Sequence, residues 1–446
     1  MIKLSDLKNK HFLALTGNLV ISVFSLITMS LLYRSLSKAE VGVWFLFLGI
    51  QSLAEAIRAG FLSTAAVKFY AGTEKNRGLE VLGSVWFIAL AITLILVILN
   101  AILLLFLPLI HNPATIIIIK WIGITFISSL PFTVPIWILI ADEDYTYLLR
   151  LRLVNSISMF LIIIILIYSK EMNLRNLFIL NIATNLLTGI FCFLNKLTHI
   201  GAILKSTKST INEIAKFGKF TIASSISVIL FSNVSTFIIS YFLGPASLAI
   251  YNLPGRLMTI IEIPLGSSLG TGMTAMASAL NKNNKENFIY IFKKYTGLLT
   301  FAIIPIIIFV FIFSDLAVNI IGGVKYNNTE AANIFRVMIF FSILYPIDRF
   351  HGVVLDLLHL PQINLQKVLV MLLFTIIGSS LGYFALHNLY GIVYFSRISI
   401  ISGVLFGYYS LQKHIKYTFL EIIKVGWRET NVILKRVSDT VINFKK

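Results

Sequence analysis

The sequence predicts an all-α polytopic membrane protein of about twelve transmembrane helices, arranged as two parallel six-helix bundles with a central cavity. Three observations carry that expectation. Of 446 residues, 57% are hydrophobic and 13% are charged, against roughly 25% charged in an ordinary soluble chain, so too little polar surface exists to cover the protein in water. Charge-free runs recur at the length of about 20 residues that a helix needs to cross a hydrocarbon core of about 30 Å. The chain also repeats itself at a shift of 207 residues.

Each charge near a span centre costs about 2.5–3.5 kcal/mol, so the charge-free runs mark the spans. They fall near 11–33, 41–67, 81–109, 114–140, 148–168 and 176–195, then near 217–243, 246–279, 295–314, 331–358, 366–386 and 389–411. The first follows a basic start but is longer than a signal-peptide core and has no small-residue cleavage site after it, which predicts a retained span. Connecting segments are short and leave no room for a soluble domain. The domains expected are a bundle at 1–195, a cytoplasmic linker at 196–216, a second bundle at 217–411 and a cytoplasmic tail at 412–446. In the tail, Ile415, Phe419, Ile422, Ile423 and Trp427 mix with Lys416, Lys424, Arg428, Lys435 and Arg436. That pattern predicts a helix lying on the membrane surface.

Basic residues accumulate on the cytoplasmic side of short loops. With the N-terminus inside, 26 of the 37 Lys and Arg fall on that side, among them Lys3, Lys8, Lys367 and eight after residue 411. Seven fall outside: Arg34, Lys38, Lys120, Lys170, Arg175, Lys325 and Arg336. Both termini are therefore expected in the cytoplasm. The net charge of +18 follows from topology and attraction to anionic lipid, and no nucleic-acid partner is expected. The lone Cys192 excludes an internal disulfide and a Cys-based metal centre.

The 207-residue shift aligns Leu36 with Leu243, Ala39 with Ala246, Glu55 with Glu262, Thr64 with Thr271 and Lys75 with Lys282. Each half holds an even number of spans, so the halves are parallel repeats related by an axis along the membrane normal. The stretches LLYRSLSKAEVGVWFLFLGIQSL at 31–53 and IISYFLGPASLAIYNLPGRLM at 238–258 resemble the two half-starts of bacterial oligosaccharide flippases. These are the O-antigen and capsule repeat-unit transporters related to multidrug-and-toxin exporters and lipid II flippases. The resemblance implies ion-coupled translocation of a polyprenyl-pyrophosphate-linked oligosaccharide to the outer leaflet of a bacterial inner membrane. It also implies H+ or Na+ as coupling ion, polymerase or assembly proteins of the pathway as partners, and no cofactor.

Ionisable residues within spans point to the pathway, because they are costly against lipid and face an interior. At a rise of about 1.5 Å per residue, Arg256 and Arg397 lie near the bilayer midplane. Arg58 and Arg349 lie deeper towards the cytoplasmic side, within snorkelling reach of it. Guanidinium forks suit a pyrophosphate or acidic sugar, so all four are substrate-binding candidates. A structural role is the alternative for each, and Glu55 with Arg58, three apart on one helix face, could equally form an internal ion pair. Glu262 sits about 240° around the helix from Arg256 and needs another partner or a proton. Glu262, Glu55 and Asp348 are the ion-coupling candidates.

On span ten, Asp348, His351, Asp356 and His359 share an arc of about 140°. The stripe is too long for one metal ion, so it reads as a polar cavity wall and no metal site is expected. Pro131, Pro135, Pro254, Pro264, Pro305 and Pro346 fall within spans, where proline favours kinks. Asp142-Glu143-Asp144 offers a D-x-D pair, but without a nucleotide-binding domain it does not make a glycosyltransferase. No Walker A, H-E-x-x-H or G-x-S-x-G motif is present, and a transporter rather than an enzyme is expected. The alternatives are a multidrug or small-solute exporter of the same fold, which arginines in the cavity disfavour for cationic drugs, and a membrane assembly subunit that transports nothing.

Overall fold

A computed structural model describes the backbone of residues 10–444 and the side chains of 20–219 and 221–435. The anticipated anchors Lys3 and Lys8 lie outside the described residues. Every regular element among the described residues is helical. In order these are α1 (Lys10–Ser35), α2 (Lys38–Tyr70), α3 (Lys75–Leu105), α4 (Pro113–Ala141), α5 (Tyr145–Tyr168), α6 (Leu174–Leu194), α7 (Lys208–Leu257), α8 (Thr259–Asn281) and α9 (Lys285–Gly322). They continue as α10 (Ala331–Phe341), α11 (Tyr345–Leu357), α12 (Pro361–Leu386), α13 (Leu389–Ser396), α14 (Ile398–Gln412) and α15 (Phe419–Phe444).

Among the described residues, ten segments are long and apolar enough to cross a membrane. Two of the twelve expected spans are not among the ten. Of α1, which has 26 residues, side chains are described only from Val20 on. α7 is kinked at Gly244 (φ 80°), where the helical backbone is interrupted between the end of span seven and the start of span eight. α8, diluted by Glu262 and a run of Gly, Ser and Thr, is not among the ten. Starts are set by polar caps. Ser37 and Glu40 form a reciprocal capping box at α2, with Ser37 N donating to Glu40 Oε2 at 2.9 Å. Asn112, Asp144, Asn173 and Asn388 accept from the first-turn amides of α4, α5, α6 and α13, which satisfies donors that have no helical partner. The acidic triplet thus makes a turn: Glu143 takes φ 54° and Asp144 receives Tyr147 N at 3.0 Å.

The contacts group the chain into two units. Unit 1 comprises the chain up to Leu230 with Gly244–Ala249 and Ile321–Gly323, and unit 2 the remainder. The division falls inside α7 rather than in the expected 196–216 linker, because the first turns of α7 pack on α2. Thr221 Oγ1 donates to Gly60 O, and a Cβ on Gly218 would meet the Phe61 ring at 2.7 Å. The linker is packed as well: Trp86 Nε1 of α3 donates to Thr198 O at 2.7 Å, and Arg77 pairs with Glu213 and Glu80. Leu62, Ala66, Val85, Trp86, Val134 and Trp137 form the core there. Elsewhere on α3, Leu94, Ile95 and Leu99 stay exposed, as residues facing lipid tails do.

Unit 2 has its core around Met276, Phe288, Phe292, Phe350, Leu411 and Tyr417. Its helices are more interrupted. α7 and α8 part at Met258, α10 and α11 are separated by a 3-10 turn at Ser342–Leu344, and α13 and α14 part at Arg397. Pro346 sits in the first turn of α11, where its missing N–H costs no helical bond, so it does not kink a helix interior as expected. α4 runs unbroken through Pro131 and Pro135.

The tail forms the amphipathic helix that its pattern predicts, and α15 packs along α9. Gly297 and Gly426 let the backbones touch: a Cβ on Gly426 would lie 2.6 Å from Gly297 Cα. Lys293 pairs with Glu421 and Lys294 with Glu429, each at 2.8 Å, while Tyr290 donates to Glu429 at 2.7 Å. The hydrogen bond from Lys293 holds the Glu421 carboxyl below its ordinary value, and the bonds from Lys294 and Tyr290 do the same for Glu429. A group whose folded pKa is depressed contributes stability above its unfolded pKa and loses it as pH falls through the folded value. The clasp should therefore hold at neutral pH and release only as pH falls below the ordinary glutamate range, seen as faster proteolysis of α15 in acid. Gly426→Leu should release α15 at neutral pH, with trypsin cleaving at Lys424 and Arg428 at least severalfold faster.

Candidate functional site

Unit 1 encloses one of the four arginines completely. Arg58 has no exposed surface. Its guanidinium pairs with Glu55 one turn back on α2 and donates to Ser129 Oγ at 2.7 Å, to Thr93 Oγ1 at 3.1 Å and to Phe126 O at 3.1 Å. The helices α2, α3 and α4 therefore meet on this one cation. The internal ion pair is present, and Arg58 neither snorkels nor offers a face to a ligand in this conformation. A polar seam continues beyond it, with Asn185 Nδ2 donating to Ser128 Oγ at 3.2 Å and Asn155 Nδ2 to Thr188 Oγ1 at 3.0 Å. Asn181, Thr184, Asn185 and Thr188 are all buried. Their i, i+3, i+4, i+7 spacing is a signal in the sequence, carried by neutral side chains and not by charges.

Unit 2 gathers the others. Tyr345, at the start of α11, lies within electrostatic range of Arg397, Glu262, Tyr251 and Arg349. Each arrives from a different place in the chain: Tyr251 from α7, Glu262 from the first turn of α8, Arg349 from α11, and Arg397 from the junction of α13 and α14. Arg349 and Glu262 are exposed and Arg397 is half-buried. Arg397 Nη2 makes a long bond of 3.4 Å to Ser396 Oγ, which leaves most of its donors available. Arg256 ends α7 on the same discontinuous span as Glu262, and its carbonyl accepts from Thr259 Oγ1 at 2.8 Å. Among the described residues, the groups acting on Tyr345 are two guanidinium groups, a phenol and one carboxylate, and the cationic excess suits an anionic oxygen-rich group.

Glu55 and Glu262 occupy equivalent positions of the repeat, yet their fates differ. Three residues on, unit 1 has Arg58 and unit 2 has Leu265, so Glu262 has no intrahelical cation and is exposed instead of sealed.

The polar face of span ten divides. Asp348 and His351 are buried, while Asp356 and His359 are exposed, so the four do not line one wall. Asp348 is ion-paired with Lys367 of α12, whose Nζ lies 2.8 Å from both Asp348 Oδ1 and Asp348 O. His351 Nε2 sits 2.6 Å from the Tyr417 hydroxyl, and burial pushes the Tyr417 hydroxyl pKa up. Asp356 accepts from Asn364 at 3.0 Å. Lys367 was expected among the cytoplasmic anchors; it is buried, because α12 starts at Pro361 and places the lysine a turn and a half inside the helix. Among the described residues, no group of three or more His, Cys, Asp and Glu is placed to hold a metal ion.

Breaking a buried pair strands the remaining charge at a cost of about 3–5 kcal/mol. Arg58→Met should lower the melting temperature in detergent sharply, and Glu55→Gln in the same chain should recover most of the loss. The same relation should hold for Lys367→Met and Asp348→Asn. Additive losses in either double variant would show that the pair is not coupled.

A family profile described as polysaccharide biosynthesis protein matches residues 31–331. No curated protein matches the sequence. Among solved structures, an inward-facing multidrug resistance MATE family transporter of the MOP superfamily superposes with TM-score 0.72 at 14% identity, covering 89% of this chain and 96% of that one. The lipid II flippase MurJ in an inward closed conformation gives 0.71 at 17%, covering 95% and 92%. A MOP superfamily transporter from Pyrococcus furiosus, described as having a binding pocket of reverse polarity, gives 0.61 at 16%, covering 90% and 94%. At such identities the likeness is one of fold.

Proposed function

This chain belongs to the polysaccharide biosynthesis protein family, and from that membership we propose that it is a flippase of lipid-linked oligosaccharide. The substrate is a polyprenyl-pyrophosphate glycan destined for O-antigen, capsule or a related surface polysaccharide. It is carried by alternating access from the inner to the outer leaflet of a bacterial cytoplasmic membrane, with both termini in the cytoplasm. The observation that carries the reading is the cluster around Tyr345, on which Arg349, Arg397 and the carboxylate of Glu262 all act electrostatically. Such a cluster attracts a pyrophosphate or acidic sugar and repels organic cations. This disfavours a multidrug exporter on the same fold.

In this reading Arg397, Arg349 and Arg256 hold the anionic head group. Arg58 keeps α2, α3 and α4 in register. Glu262 carries the coupling ion, a proton or Na+, because it is an exposed carboxylate acting on the same Tyr345 as Arg349 and Arg397. A proton or cation on it alters the local charge and so links ion occupancy to head-group affinity. The buried Asp348–Lys367 pair and Glu55 are second-rank coupling groups, each already committed to a cation. The breaks at Met258, Leu344 and Arg397 leave backbone groups at mid-span that transporters of this general kind use for binding and bending.

Deleting the gene should accumulate lipid-linked oligosaccharide on the cytoplasmic leaflet, scored by leaflet-selective lectin or periodate labelling. Normal glycan export with altered drug sensitivity would favour the exporter, and export unaffected by any arginine substitution would favour a non-transporting assembly subunit. Arg397→Ala should reduce export at least tenfold at unchanged protein abundance, and Arg256→Lys should restore less than half of wild-type export if fork geometry matters. Glu262→Gln should remove the dependence of export on the ion gradient rather than binding of the glycan.

A further inference from the structure

Unit 2 carries two neighbouring cavities towards the end of α9 remote from α15. The first is a polar pocket of about 290 Å³ where Asp315, Asn319, Asn327, Asn328 and Thr329 present carboxylate, amide and hydroxyl groups. The second is a groove of about 710 Å³ lined by Phe311, Phe340, Phe341, Tyr390 and Tyr394 from α9, α10 and α13. Arg336 joins them. Its side chain lines the groove, and its guanidinium is paired with Asp315 of the pocket wall. Nη1 donates to Asn333 Oδ1 at 2.6 Å, Nε donates to Phe311 O at 3.1 Å, and the Phe311 ring centroid lies 5.9 Å from the guanidinium carbon. Asn333 in turn donates to the Tyr390 hydroxyl at 3.1 Å.

Aromatic rings and an arginine near a helix end are the ordinary furniture of a membrane interface. A snorkelling arginine, however, carries its head on a free stem to water, whereas this head is fixed by three protein acceptors. Of the five N–H donors of a guanidinium, three are engaged, and two remain. Arg336 is five residues, about 8 Å, into its span, the depth at which head-group phosphates give way to hydrocarbon. Asp315 is neutralised by Arg336 and is left to accept from hydroxyl groups in the pocket.

We propose that these two cavities form a second lipid-linked sugar site, separate from the Tyr345 cluster. The isoprenoid chain lies in the aromatic groove, the phosphate meets the free donors of Arg336, and the first sugar enters the polar pocket. The order of chemistries along the protein, polar then cationic then apolar, is the order of sugar, phosphate and chain along such a lipid. The inference rests on the flippase reading for its substrate class. It adds a place where substrate rests at the membrane surface opposite α15, the natural position for a molecule arriving or leaving at that leaflet.

The test uses the full chain in nanodiscs and a diazirine-bearing farnesyl diphosphate as probe, with crosslinks mapped by mass spectrometry. Labelling should fall on α10 and α13. Arg336→Gln should lower it at least fivefold and Arg336→Lys restore part of it. Phe340→Ala and Tyr394→Ala, at positions 60% and 49% exposed and so tolerant of truncation, should each lower it at least threefold. In cells, Thr329→Trp should fill the polar pocket and cut glycan export while leaving probe labelling intact. Labelling elsewhere, indifference to Phe340→Ala and Tyr394→Ala, or competition by phosphatidylglycerol as strong as by unlabelled farnesyl diphosphate would overturn the site. Groove labelling in a protein whose deletion leaves glycan export normal would sink the flippase reading and leave the isoprenoid site standing. Glycan export lost on deletion, in a protein whose groove is not labelled, would do the reverse.

Discussion

A charge carried into hydrocarbon must be met by the protein itself, since no water is there to solvate it, and this constraint organises both units. In unit 1 it is met by Arg58, which binds Glu55, Thr93, Ser129 and the Phe126 carbonyl. Three helices converge on one cation, and each is oriented by what it offers to that cation. The neighbouring seam of Ser128, Asn155, Asn185 and Thr188 extends the same solution with neutral groups. In unit 2 the Asp348–Lys367 pair fastens α11 to α12 in a comparable way.

The charges around Tyr345 obey the constraint differently. Arg349, Arg397 and Glu262 all act on one phenol but are left partly exposed. The helices that carry them are interrupted, and an interrupted helix exposes backbone groups only where protein or a polar cavity receives them. Sealed charge builds structure, and reachable charge is available to a ligand. The repeat makes the contrast plain, because equivalent glutamates fall on opposite sides of it according to whether the residue three positions later is Arg58 or Leu265.

α15 shows a third use of charge, at the edge of the apolar region. Its acidic residues clasp Lys293 and Lys294, which are basic residues at the start of α9. Leu420, Ile423, Trp427 and Leu434 remain exposed along the helix, beside Lys424, Arg428 and Lys435. An apolar row flanked by a basic row matches a helix resting in the head-group layer, anchored by a Gly297–Gly426 contact that only a residue without a side chain allows.

Hydrophobic run length and the sign of flanking charge determine, from the sequence alone, that the protein is helical and membrane-embedded, and they place most helix ends within a few residues. Both depend on local composition and need no knowledge of neighbours. The Glu55–Arg58 pair was legible for the same reason, being one turn apart on one helix. Tertiary structure decided which ionisable groups are sealed and which are reachable. Lys367 reads as a loop lysine until α11 is set beside it, and Tyr345 carries no signal until Tyr251, Glu262 and Arg397, distant in sequence, are brought to it. Packing, not composition, also moved the division of the chain from the linker into α7. The energy of a charge in a membrane is set by what surrounds it in space, and sequence distance does not report that.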